Sequence, residues 1–147
     1  MSATIHTQRP VTVPCAFCAV LNRVDLERLH DGPKCAECGR PIRLDRPVKV
    51  TDANFDRVIA DASVPIVLDC YADWCGPCHA MAPALDELAH AQTGRALVLK
   101  LDTDANPVIS QRLGIRGIPT VVAFRGGKEI GRHVGLASLR VLEDLIR

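Results

Sequence analysis

The sequence predicts an α/β fold, a central mixed sheet covered by helices on both sides, preceded by a small module built on cysteines. Three observations predict it. From about residue 48 onward, short apolar runs alternate with segments of helical period and end in a hairpin signal. Ahead of them, Cys15, Cys18, Cys35 and Cys38 stand as C-x2-C, sixteen intervening residues and C-x2-C. Between the two lies Gly39-Arg40-Pro41 through Asp45-Arg46-Pro47, which reads as the end of a knuckle and a short linker. The boundary is therefore expected near Pro47, giving residues 1–47 and 48–147.

Taken in order, Val24, Leu26 and Leu29 offer the N-terminal module only a minimal apolar cluster, and Ile42 and Leu44 suggest a small strand. Thr51 or Asp52 is placed to cap a helix whose Phe55, Val58 and Ile59 share a face. Ile66 to Ala72 is apolar on both faces, as a central strand requires. A long helix follows, with Met81, Leu85 and Leu88 as its inner stripe and Pro83 as a kink. Ala96 to Leu101 is a second buried strand, and Pro107 to Leu113 a short helix. Thr120 to Phe124 and Glu129 to Val134 flank Gly126-Gly127, a dipeptide suited to a two-residue turn. Ser138 caps a last helix that buries Leu139, Leu142, Leu145 and Ile146.

Composition narrows the function. Lys and Arg number 18 against 17 Asp and Glu, so no global field would hold the chain on nucleic acid or an anionic membrane. Residues 1–14 lack the apolar middle of an export signal, and no apolar run is long enough to span a bilayer. Seven cysteines without such a signal read as thiols, metal ligands or catalytic groups, and a cytoplasmic location follows. The four in the N-terminal module have the spacing of a four-thiolate Zn2+ site. A segment of that length lacks the core to fold alone, so bound zinc would supply much of its folding free energy.

Trp74-Cys75-Gly76-Pro77-Cys78 joins the Ile66 to Ala72 strand to the long helix. Two cysteines in a first helical turn meet unpaired backbone N–H groups and the positive end of the helix dipole, which stabilise a thiolate. Gly76 permits close approach, and Pro77 presets a helical φ where its missing N–H costs little. Cys75 is expected to be the exposed attacking thiolate and Cys78 the more buried resolving thiol. Asp69, inside the apolar strand, is expected to have a pKa raised by desolvation and to serve as base toward Cys78. Its alternative role is structural, paired with Lys100.

This pentapeptide, with Asp69 six positions before Cys75 and Gly117-Ile118-Pro119-Thr120 far downstream, closely resembles the thioredoxin family, in particular its zinc-bearing members. The resemblance covers residues 48–147. It implies the thioredoxin fold with a zinc-ribbon-like module and a general protein-disulfide reductase. It further implies a disulfide-bearing client protein, an NADPH-dependent thioredoxin reductase as electron donor, and no bound organic cofactor. By the same resemblance Pro119 would be a cis proline facing the cysteines, Lys100 the partner of Asp69, and Trp74, Gly76, Pro77, Ile118 and Gly135 the rim on which a substrate strand lies. Two departures stand out: Cys70-Tyr71 where the family often has Phe-Trp, and His79 where a basic Lys or Arg commonly follows the second cysteine.

Cys70 reads as a small core residue, His79 as a solvent-facing helix residue, and His6, His30, His90 and His133 as surface groups. Two other functions compete: a zinc-dependent redox sensor, in which oxidation of the four thiolates expels metal, and a zinc-ribbon binding module carried on a thioredoxin scaffold. Residues 1–47 hold seven Lys or Arg against five Asp or Glu, and Phe17 is their only aromatic, so nucleic-acid binding has little to work with.

Overall fold

The computed structural model describes residues 8–147. His6, and half of the segment judged to lack an export signal, lie outside them. β1 (Pro10–Pro14) and β2 (Leu21–Asp25) pair antiparallel, with Val11 opposite Val24, and a 3-10 segment follows over Leu26–Asp31. β1 was not foreseen. Bracketed by prolines and only five residues long, it owes its strand to what lies beneath: Val11 and Val13 are fully buried in one cluster with Val24, Leu26, Val50, Phe55 and Val58. Burial of each valine stabilises by about 1.5–3 kcal/mol. Thr12 donates to Asp61 at 2.8 Å and Ser63 to the Pro10 carbonyl at 2.8 Å, closing the seam. The N-terminal strands thus share a core with the rest of the chain, and the expected minimal cluster is far larger. The small strand expected at Ile42 and Leu44 is reduced to an isolated bridge between Lys34 and Pro41, because Leu44 turns inward to that core.

The main sheet contains β3 (Val48–Lys49), β4 (Ile66–Tyr71), β5 (Leu97–Asp102), β6 (Thr120–Arg125) and β7 (Lys128–Val134), in the order β3-β5-β4-β6-β7. β3, β5 and β4 run parallel, while β6 is antiparallel to β4 and β7 to β6. Central β4 is buried at all six residues. Its alternation divides the interior: Ile66, Leu68 and Cys70 join the cluster under β1 and α1 (Phe55–Asp61). Val67 faces α2 (Gly76–Ala91), packing with Met81, Leu85 and Leu88. Asp69 and Tyr71 therefore share the α2 side of the sheet.

Asn54, not Thr51 or Asp52, occupies the cap position of α1, its amide oxygen accepting the Thr51 N–H at 2.8 Å. Asp52 caps a different helix, accepting the N–H groups of Val108 and Ile109 at 3.2 and 2.8 Å at the start of α3 (Pro107–Arg112). Gly126 and Gly127 take φ of 60° and 79° in the β6–β7 turn, the left-handed pair such a hairpin requires. Ser138 caps α4 (Leu139–Leu145), whose Leu142 is fully buried against the α2 layer.

Candidate functional site

β4 delivers the chain through Ala72 and an exposed Asp73-Trp74 corner to Cys75, whose N–H donates to the Ala72 carbonyl at 3.2 Å. Cys75 is the N-cap of α2, and its Sγ accepts the Cys78 N–H at 3.2 Å. Gly76 and Pro77 form the first helical positions, as their φ preferences require. The two sulfurs are disulfide-linked, with Cα atoms 5.2 Å apart. This is the oxidised form of the dithiol.

The expected contrast in exposure does not hold in this form. Cys75 is 3% exposed and Cys78 5%. Tyr71, Ala72 and Ile118 pack around the pair. Cys75 Sγ lies 3.9 Å from the Ile118 carbonyl oxygen, and the Ile118–Pro119 peptide is cis. Gly135 N–H donates to the Pro119 carbonyl at 2.8 Å, tying the end of β7 to this loop. Trp74 stands 72% exposed beside the pair, its indole N–H donating to Asp104 at 2.8 Å. Sequence reasoning missed Asp104, which no spacing marks. It also missed Val134, exposed at 64% next to Gly117, whose hydrophobicity on an edge strand was the available signal.

Behind Cys78 lies a cavity of about 120 Å³ shared by Lys49, Asp69, Tyr71, Cys78, His79 and Lys100. It has room for water, which needs roughly 10–15 Å³ on this measure. Asp69 is buried and its Oδ1 has no hydrogen-bond partner among the described residues. Burial pushes its pKa up to about 6, opposed only partly by the positive charge of Lys100. Lys100 is its register partner on β5, yet the ammonium sits over the Tyr71 ring, 4.6 Å from the centroid. Cys70, fully buried on the opposite face, has its thiol pushed up to about 12 by desolvation and is inert packing. His79 is exposed, in contact with the Asp73 carbonyl. His30 and His90 are exposed, while His133 is half-buried with its ring at 2.8 Å from the Leu136 carbonyl.

The other four cysteines meet at one point. Their sulfurs all lie within 4.8 Å of one another, with Cys15–Cys38 at 3.6 Å and Cys18–Cys35 at 3.5 Å. A tetrahedral ion with metal–sulfur bonds of about 2.3 Å sets its sulfurs roughly 3.8 Å apart, so the cluster fits one ion. The two knuckles are built alike. Ala19 N–H donates to Cys15 O and Gly39 N–H to Cys35 O, at 3.0 and 2.9 Å. Cys15 N–H then donates to Val20 O and Cys35 N–H to Arg40 O, at 2.8 and 2.9 Å. Backbone N–H groups and the Asn22 amide aim at the sulfurs and draw the Cys35 pKa down to about 6, while Cys15 is lowered as well; Cys18, despite the Val20 N–H, is pushed up to about 12 by desolvation and by the Cys35, Cys15 and Cys38 thiols. Donors of this kind stabilise thiolates, the form that binds metal.

The Thioredoxin family model matches residues 46–147, and a zinc-ribbon model described as Thioredoxin 2, N-terminal, matches residues 14–40. Thioredoxin C-3 of Corynebacterium nephridii is 36% identical over 131 residues, covering 89% of this chain and 88% of its own length. Thioredoxin 1 of a Nostoc species is 42% identical over 103 residues, 70% of this chain and 96% of its own. Among solved structures, a mutant thioredoxin from Halobacterium salinarum superposes with a TM-score of 0.64 at 39% identity, covering 71% of this chain and 91% of that one. A helix-capping cysteine pair on this sheet, with such relatives, defines a thiol–disulfide oxidoreductase joined to a metal-binding four-cysteine module. The chain belongs to the thioredoxin family. No helix among the described residues is long and apolar enough to cross a membrane.

Proposed function

We propose that this protein is a general protein-disulfide reductase of a reducing, cytoplasmic compartment, working through Cys75 and Cys78. The observation that carries the reading is the N-cap position of Cys75, where its sulfur already accepts the Cys78 N–H at 3.2 Å. In the dithiol form the same N–H and the helix dipole would hold the sulfur as thiolate. That thiolate attacks one sulfur of a client disulfide; the client's other sulfur leaves as thiolate and takes a proton from water. Cys78 then gives its proton toward Asp69 through the shared cavity and attacks Cys75 Sγ. The second client sulfur is released, and the Cys75–Cys78 disulfide forms as the client gains two electrons. Trp74, Gly76, Pro77, Ile118 and Pro119 form the shallow surface against which an extended client segment lies, and Lys100 moderates Asp69. Two electrons from an NADPH-dependent thioredoxin reductase restore the dithiol.

In the N-terminal module, Cys15, Cys18, Cys35 and Cys38 hold Zn2+, which four convergent thiolates favour over harder ions. Bound there, the ion would supply a structural cross-link within the module. The function is tested by coupling the protein to NADPH and a thioredoxin reductase and following reduction of insulin disulfides. Turnover should vanish in Cys75→Ser; full turnover in that variant would overturn the reading.

A further inference from the structure

Away from the dithiol, a groove of about 570 Å³ lies between the first knuckle and the edge of the sheet. Phe17, Ile42 and Val48 line it with apolar surface, and Arg43, Arg46 and Lys49 supply its charge; among the described residues no carboxylate lines it. Arg46 is paired with Asp45 at 2.9 Å, outside the groove. Arg43 and Lys49 are exposed, and no ion pair engages either among the described residues. Arg40 lies over the Phe17 ring at 4.5 Å, adding a fourth cation at the rim. In a chain whose net charge is only +1, this is a local concentration of positive charge on an apolar floor.

The groove also ends on an unpaired strand edge. β3 is the outermost strand, and Val50 N–H donates to the Lys100 carbonyl of β5 at 2.9 Å. By the alternation of a parallel ladder, Lys49 turns its own N–H and C=O away from β5. An extended peptide can add to such an edge, and alternate side chains then fall on opposite sides.

We infer that this groove binds an extended segment of a partner protein in which acidic and apolar residues alternate. The apolar side chains lie on Phe17, Ile42 and Val48, the carboxylates reach Arg43 and Arg46, and one backbone pair forms with Lys49. A nucleic acid fits less well, because Phe17 is the single aromatic side chain among the described residues lining the groove. Binding is independent of the dithiol, so it stands or falls separately from the proposed reductase activity.

The test uses the full metal-loaded chain and a fluorescent peptide, acetyl-Leu-Glu-Ile-Glu-Leu-Glu-amide, read by anisotropy. Binding should be saturable, weaken as salt rises from 50 to about 300 mM, and fall roughly tenfold in Arg43→Glu/Arg46→Glu, with Cys75→Ser unaffected. Circular dichroism checks that the double variant, altered only at exposed positions, remains folded. The same peptide with its glutamates replaced by lysine, or with alternate backbone nitrogens methylated, should bind at least tenfold more weakly. Equal binding of the lysine peptide, insensitivity to the double substitution, or no binding at low salt would overturn the inference. So would tighter binding of a single-stranded oligonucleotide, or a concentration-dependent dimer that the double variant abolishes.

Discussion

Asp69 and Lys100 face each other across adjacent parallel strands, yet the carboxylate oxygen Oδ1 is left without a partner while the ammonium rests on the Tyr71 ring. The carboxylate is therefore buried with little compensation, and the folded protein holds its proton up to about pH 6, where an unfolded chain would release it near the ordinary aspartate value of 3.8. Between those values the native state binds more protons than the unfolded one, so this group lowers stability as pH rises through the window. The loss levels off above about pH 7 at roughly 3 kcal/mol.

Asp69→Asn should therefore be more stable than the parent at pH 8, by about 2–3 kcal/mol, and by less than about 1 kcal/mol at pH 4. The same variant should resolve mixed disulfides more slowly, on the order of 100-fold, with the pH dependence near 6 removed. Urea unfolding at the two pH values and stopped-flow resolution measure these separately. Equal stability at both pH values would contradict the assigned burial cost.

The thioredoxin half was mostly legible because its signals are local. The apolar run of β4 needs no context to read as a central strand, Gly126-Gly127 specifies its turn, and Ser138 caps the helix it precedes. β1 was hidden because Val11 and Val13 become buried only when α1, more than forty residues later, packs on them. Asp52 misled for the same reason: its carboxylate serves amides more than fifty residues away. The exposure expected of Cys75 failed because Ile118 packs against the pair, a tertiary contact that sequence spacing does not encode.

Because β1 and β2 share one core with α1 and β4, loss of metal should weaken the whole chain and not the module alone. One zinc per chain is expected by elemental analysis. Chelation, or Cys38→Ser at the exposed ligand, should lower the melting temperature by more than about 10 °C in a single transition. Two separate transitions, the upper one unmoved, would show that the halves unfold independently.

The two knuckles place different residues at the same left-handed backbone position. Ala19 takes φ of 65° where its counterpart Gly39 takes 74°. A side chain in this left-handed region costs about 1–2 kcal/mol, so Ala19→Gly should stabilise the metal-loaded protein by up to about 1 kcal/mol after the extra unfolded-state entropy of glycine. Gly39→Ala should lose a similar amount. Thermal melts of both decide it, and a destabilised Ala19→Gly would contradict the strain assigned to that turn.

The central claim is that Cys75 attacks and Cys78 resolves. Cys78→Ser, reduced and mixed with insulin, should accumulate a covalent adduct of one protein chain to one insulin chain through Cys75, visible by intact mass and released by dithiothreitol. An adduct that instead maps to any of Cys15, Cys18, Cys35 or Cys38, or no adduct at all, would contradict the account.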